Sequence, residues 1–214
     1  MTRISFFAVF GVFTLFALTL PTVAAAQDPG DWLVRLRTIA VIPDESSTIG
    51  TIGGAATVGN EYTIELDFSY FLTKNISAEL ILATSKHNIG AVGTTLGDLD
   101  LGSVWLLPPT LNLQYHFSPD ARINPYVGAG LNLTLFHSVN NGPTVVDMDY
   151  KTAIGFSLQA GVDMLTSEKT YVNLDIKKLF LDTTVTIDAG GAGVVTADVN
   201  INPWIFGIGI GVRF

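Results

Sequence analysis

The chain has no cysteine. That excludes a disulfide scaffold, a thiolate metal centre, a catalytic thiol and a lipidated N-terminal cysteine. It is also short of charge: 14% of its 214 residues are Asp, Glu, Lys or Arg, against about 25% in an ordinary soluble domain. Basic residues are the scarcer sign, with 11 Lys plus Arg against 19 Asp plus Glu and a net charge of −8. A surface of that sign does not meet phosphates, so no nucleic-acid partner is expected. Beyond residue 26 the chain also lacks any apolar run of about 18 residues, the length a spanning helix needs. Yet 48% of the residues are hydrophobic, with 13 Phe and 21 Gly. Such a chain either encloses a large core or faces lipid.

Residues 1–26 are read as an address before any folding argument. Arg3 supplies a positive start, residues 4–20 carry no charge, and Pro21 ends the run. Ala24-Ala25-Ala26 then places small side chains before Gln27. This is the layout of a cleaved secretory signal peptide. A retained anchor is the alternative, since the run is near the lower limit for a span. The polar Gln27-Asp28-Pro29-Gly30 that follows favours removal.

The hydrophobicity of residues 27–214 comes from period-2 alternation. Phe206, Ile208, Ile210, Val212 and Phe214 alternate with Gly207, Gly209, Gly211 and Arg213. Ile64, Leu66, Phe68 and Tyr70 alternate with Glu65, Asp67 and Ser69. Each such run is a strand with one apolar and one polar or tiny face. Eight runs are predicted, over residues 31–41, 62–72, 76–86, 104–117, 124–137, 151–165, 170–182 and 202–214. All reach the roughly 9–11 residues of a tilted bilayer-crossing strand. The connections alternate too. Those at residues 73–75, 118–123 and 166–169 are tight, while residues 42–61, 87–103, 138–150 and 183–201 are expected as long loops. Short turns at one end and long loops at the other predict an all-β, eight-stranded antiparallel transmembrane barrel of the outer membrane. Its long loops would be extracellular and its termini periplasmic. A soluble barrel would turn the apolar face inward. Glycines on the polar face and aromatics at the strand ends argue for the opposite orientation. With the apolar face to lipid, Trp32, Tyr70, Tyr115, Phe117 and Phe214 form one interfacial girdle; Tyr62, Trp105 and Trp204 form the other.

The same parity names the interior. Near the short turns it holds Arg35, Arg37, Lys177 and Arg213 with Glu65, Asp67, Glu79, Asp163 and Asp175. Charges in a confined space must pair, so an ion-pair plug is expected at the periplasmic end. Toward the long loops the inward face turns apolar, with Ile39, Val41, Ile81, Ala83, Phe136 and Ala153. An apolar cavity over a sealed floor suits a small hydrophobic solute. That solute needs a side exit. Pro108-Pro109 is the expected place for a lateral opening, because proline donates no ladder hydrogen bond; a simple bulge there is the alternative.

These residues resemble the outer membrane protein W family. The matching stretches are Gly30-Asp31-Trp32-Leu33-Val34-Arg35, Leu66-Asp67-Phe68-Ser69-Tyr70-Phe71, Leu107-Pro108-Pro109-Thr110-Leu111 with Gln114-Tyr115, and Pro125-Tyr126-Val127-Gly128-Ala129-Gly130-Leu131-Asn132. Ala160-Gly161-Val162-Asp163 and the segment from Pro203-Trp204 to Arg213-Phe214 complete them. The resemblance implies an outer-membrane barrel with a hydrophobic lumen, taking up small hydrophobic molecules by lateral release into the bilayer. It also implies links to stress adaptation and use as a receptor by bacteriocins or phage. A purely structural, stress-response or receptor barrel without transport is therefore the alternative function. One departure stands out: the family pattern carries a proline after Ala-Thr at the top of the third strand, where this chain has Ser85 after Ala83-Thr84.

The expected partners are outer-membrane lipid, small hydrophobic solutes and, through Phe214, the barrel-assembly machinery. No cofactor and no metal are expected, because His87, His116 and His137 are dispersed and no H-E-x-x-H occurs. No enzyme is expected either. Ser85 and His87 share a strand face, but i and i+2 positions stand about 7 Å apart, and no acid completes a triad.

Overall fold

The computed structural model describes residues 27–49, 53–190 and 193–214. The expected leader, residues 1–26, lies outside the described residues. The described chain is all β. Its strands are β1 (Trp32–Ile42), β2 (Ser46–Ile49), β3 (Ala55–Val58), β4 (Glu61–Phe71), β5 (Ile76–Ala83), β6 (Ser85–Thr94), β7 (Gly97–Leu107) and β8 (Thr110–His116). There follow β9 (Ile123–Asn141), β10 (Asp147–Tyr150), β11 (Ala153–Leu165), β12 (Thr170–Phe180), β13 (Asp182–Asp188), β14 (Val194–Asn200) and β15 (Trp204–Arg213).

Eight of them close a ring in the order β1, β4, β5, β8, β9, β11, β12, β15 and back to β1, every neighbouring pair antiparallel. Closure leaves no barrel edge, so the backbone's hydrogen-bonding groups are met within the wall, as a bilayer demands. Trp32 and Phe214 seal the last seam by exchanging backbone hydrogen bonds of 3.2 and 2.9 Å.

The alternation resolves as expected. Ile208 and Ile210 are each 58% exposed and Ile154 is 77% exposed, while Arg35 and Asp67 have no exposed surface at all. Leu36 on β1 stands between Leu66 of β4 and Ile210 of β15, so the outer face is a continuous apolar belt. The charged side chains are inside and the greasy ones outside, the inverse of a soluble barrel.

The lumen-facing glycines create the room for those charges. Gly211, Gly209 and Gly207 of β15 stand across from Arg35, Arg37 and Ile39 of β1. A Cβ on Gly211 would lie 3.1 Å from the Arg35 Cγ, and one on Gly209 would collide with the Leu36 carbonyl oxygen. The glycines thus let two guanidinium stems lie flat on the wall. Gly209→Ala is expected to destabilise the barrel by about 1–3 kcal/mol, the usual cost of overpacking against backbone, read as a lower urea midpoint in lipid vesicles.

The tight turns match expectation, and side chains stabilise them. Thr73 Oγ1 accepts hydrogen bonds from the backbone N–H of Asn75 and Ile76 at 3.2 and 3.0 Å. The Asn75 amide donates to the His116 carbonyl at 2.7 Å, tying this turn to the neighbouring strand.

Three expectations need correction. The segments expected as long loops are largely strands: β2, β3, most of β6 and β7, the far end of β9, and β10, β13 and β14 fall within them. β10, β13, β14 and β2 form a second, four-stranded sheet. These segments contain alternating stretches, such as Val185 and Ile187 against Thr184 and Thr186, hidden between Gly and Asp residues that read as loop. The predicted third strand, residues 76–86, is broken at Thr84 into β5 and β6. The predicted fourth, residues 104–117, is broken at Pro108-Pro109 into β7 and β8.

Above the barrel the second sheet packs on the extended β6, β7 and β9. Ile49, Leu101, Met148, Leu181, Ile187 and Val195 belong to the buried cluster between them. Phe136 of β9 stacks on Tyr150 of β10 at 5.1 Å, and burial pushes the Tyr150 hydroxyl up to about 12. The result is an apolar roof over the lumen.

Candidate functional site: a cavity between a charged floor and an apolar roof

The floor is built on two arginines from one face of β1. The Arg35 Nη2 donates to Asp163 Oδ2 at 2.6 Å, and its Nη1 to Asp67 Oδ1 and Ser69 Oγ, both at 2.8 Å. Arg37 Nη1 lies 2.8 Å from Glu65 Oε1 and 2.9 Å from Asp67 Oδ2, and both arginines approach Glu79 Oε1, at 3.3 and 3.4 Å. Lys177 Nζ donates to Glu65 Oε1 at 2.6 Å and Asp175 Oδ1 at 2.9 Å. The Arg37 Nη2 also reaches Tyr126 Oη at 3.3 Å. Arg37 and Tyr126 come from β1 and β9, on opposite sides of the ring. Side chains therefore cross the whole lumen.

Eight of the nine charges expected in this layer meet there. Arg213 does not: its Nε lies 3.6 Å from Asp31 Oδ2 and its guanidinium 5.8 Å over the Tyr171 ring, nearer the short turns. A second apolar layer, of Leu33, Phe71, Leu165 and Tyr171, lies at that end. Without Arg213 the floor holds three cations against five carboxylates, where strand parity alone places four against five. Neutral donors make up part of the difference. Asp175 Oδ2 accepts from Tyr126 Oη at 2.6 Å and Gln159 Nε2 at 2.8 Å, and Asp163 Oδ1 accepts from Asn173 Nδ2 at 2.8 Å. Tyr126, Gln159 and Asn173 were not among the expected site residues. Their parity is legible in the sequence, since Asn173 shares a strand face with Asp175 and Lys177, but a lone Asn or Tyr on a strand is a weak signal.

Above the floor the wall turns apolar. Ile39, Val41, Ile81 and Ala83, four of the six expected lumen residues, line one cavity with Leu179 and Ile205. Lys177 and Glu65 stand at its base, and Pro108 is in its side. The other two expected residues lie higher. Phe136 and Ala153 pack in the roof cluster.

The wall beside this cavity is interrupted. The β5–β8 ladder stops at Ile81 and Thr110, and the β6–β7 ladder begins only at Ser85 and Leu106. On the other side of the same strand, β4–β5 pairing stops at Glu65 and Ala83, and β3–β6 pairing resumes at Val58 and Ile89. Thr84 lies between the two breaks. Its Oγ1 donates to the Leu106 carbonyl at 3.1 Å, and its own carbonyl accepts from Thr63 Oγ1 at 2.8 Å. Pro108-Pro109 open only one flank. Toward β9 the wall stays closed, since the Leu133 N–H donates to the Pro109 carbonyl at 3.0 Å and Leu107 pairs with Leu135.

One local expectation is overturned here. Ser85 and His87, expected to stand too far apart to interact, form a hydrogen bond of 3.0 Å between Oγ and Nε2. The side chains lean along the strand and close the gap that backbone spacing predicts. Gly59 O lies 2.7 Å from the His87 Nδ1 and orients the ring. The remaining histidines are elsewhere: His116 sits low in the lumen, 3.2 Å from Ser77 Oγ, and His137 stacks on Trp105.

Known proteins share this architecture. The family model described as "OmpW family" matches residues 28–214. Outer membrane protein W of Vibrio cholerae is 36% identical, over 95% of this chain and 97% of its own. A Pseudomonas aeruginosa protein named "Dibenzothiophene metabolism operon protein PahQ" is 27% identical, over 95% of this chain and 96% of its own. The crystal structure of the outer membrane protein OprG from P. aeruginosa superposes with a TM-score of 0.83 at 27% identity, covering 89% of this chain and 98% of that one. The closed eight-stranded ring, its apolar exterior and these likenesses agree: the chain belongs to the OmpW family of outer-membrane barrels.

Proposed function

We propose that this barrel takes small hydrophobic molecules from outside the cell into its apolar cavity and releases them sideways into the outer membrane. The carrying observation is a cavity lined by Ile39, Val41 and Ile81 that stands over a charged floor and beside a broken wall. Transfer of an apolar solute into such a lining is favourable at about 25 cal/mol per Å² buried. Passage onward through the floor would require buried ion pairs to separate, at several kcal/mol each. The sideways route at Thr84 and Pro108-Pro109 breaks few hydrogen bonds. The name of the PahQ relative, which refers to dibenzothiophene, an apolar three-ring compound, is consistent with this solute class.

In this reading the roof is extracellular and the tight turns and termini are periplasmic. Phe214, outward-facing and 69% exposed at the end of β15, is the signal offered to the assembly machinery.

The test uses dibenzothiophene uptake by cells that carry the chain in their outer membrane, against cells that lack it. Faster uptake supports the reading. In planar bilayers the same protein should carry no large, stable ionic current; such a current would count against the sealed floor. Pro108→Ala with Pro109→Ala restores backbone donors to the interrupted wall. Uptake should slow about 2- to 10-fold, the effect of one ladder hydrogen bond worth about 0.5–1.5 kcal/mol on the open population. A heat-modifiable gel shift checks folding, and unchanged uptake would remove the lateral exit.

A further inference from the structure

We infer that the cavity selects apolar solutes carrying a hydrogen-bond donor, an alcohol or phenol, over hydrocarbons, ethers and ketones of the same size. This rests on the proposed uptake function and ranks solutes within it, with donor-free compounds such as dibenzothiophene entering but held less tightly. The observation is where the hydroxyl protons go. Thr63, Ser85, Thr110 and Thr134 line the cavity, and each hydroxyl has one proton to give.

Thr63 Oγ1 donates to the Thr84 carbonyl at 2.8 Å, and Thr110 Oγ1 to the Pro108 carbonyl at 3.1 Å. Carbonyl oxygens only accept, so these directions are forced. Thr134 Oγ1 donates to Asn132 Oδ1 at 2.7 Å. The Asn132 amide is oriented by its own donation to Pro108 O at 3.2 Å and Thr110 Oγ1 at 2.8 Å, which leaves Oδ1 as the acceptor. Ser85 follows from His87. Gly59 O can only accept, so His87 Nδ1 carries a proton, and in the neutral form of the ring Nε2 is then bare. Ser85 therefore donates to Nε2.

All four hydroxyls thus spend their protons on the protein and have only lone pairs left to offer, one of Thr110's being taken by the Asn132 amide. Glu65 at the base adds another acceptor, and Lys177 gives two of its three ammonium protons to Glu65 and Asp175. A solute hydroxyl finds an acceptor in this lining. Away from the Lys177 ammonium, an ether or ketone oxygen meets only lone pairs and is left unsatisfied in a desolvated site, which is the harsher kind of discrimination.

The decisive comparison is between two isomers, 1-octanol and 1-methoxyheptane, titrated onto the full barrel in lipid nanodiscs. Binding is read from the methyl NMR signals of Ile81 and Val41, with free solute corrected by partition into empty nanodiscs. Octanol should bind about 2- to 10-fold more tightly, the effect of one neutral hydrogen bond. Equal binding of the isomers to the native chain overturns the inference and leaves the uptake reading intact. If neither isomer moves the methyl signals, the cavity is not a solute site and the uptake reading fails with it. The comparison uses the native chain alone, so no loss of folding can blur it.

Discussion

Arg35→Met is expected to lower the stability of the folded barrel by about 3–5 kcal/mol, the cost of removing one partner from a buried ion-pair cluster. Methionine keeps much of the stem's volume but takes away the cation between Asp67, Asp163 and Glu79. Those carboxylates have almost no exposed surface. Three cations already face five carboxylates in this layer, so the variant would leave two against five. A urea titration in lipid vesicles reads the loss. Lys74→Met is the control: Lys74 is exposed and stands 3.6–3.8 Å from Asp28 and Asp120, a type of pair worth about 0–1 kcal/mol. Comparable losses in the two variants would mean that the lumen is wet enough to solvate its own charges, and the plug would lose its physical basis. Conductance of the Arg35→Met barrel adds an independent readout, since a weakened floor should pass ions that the native one blocks.

Ile208→Arg is expected to destabilise by about 2–4 kcal/mol in a bilayer, the cost of a cation on the lipid face near the midplane. The sign of this experiment is diagnostic. Ile208 lies in the middle of β15 and is 58% exposed. On a soluble protein, arginine at so exposed a position would be near neutral or favourable. Val194→Arg, at a 65% exposed position in the second sheet, should change stability by no more than about 0.5 kcal/mol, as surface substitutions usually do. Equal, small effects at both positions would overturn the assignment of the outer face to lipid.

Much of this design is legible in single residues. The alternation of Ile208 and Ile210 with Gly207, Gly209 and Gly211 makes one face of the last strand apolar and the other nearly empty. Once that face is assigned to lipid, parity sends Arg35, Asp67 and Lys177 inward. Strand period is a local property, so it survives in the sequence. Where the reading fell short, the cause was not local. Arg213 has the parity of the floor residues, but its height in the barrel depends on strand tilt and stagger, which no single strand encodes. Phe136 and Ala153 point the right way yet sit above the cavity for the same reason. The roof reads as loop in the sequence because Gly and Asp interrupt its short strands. Those strands are held by pairing with segments far away in sequence, as Asn200 of β14 is with Ser46 of β2.

The sequence alone determined which face of each strand meets lipid and that Pro108-Pro109 must break a ladder, because side-chain period and the missing proline N–H act within one strand. Only the tertiary structure decided which charges touch, that the wall is interrupted on both flanks of Thr84, and that every hydroxyl in the cavity has already spent its proton. Those outcomes depend on the register between strands and on distances across the lumen, which are fixed only when the ring closes.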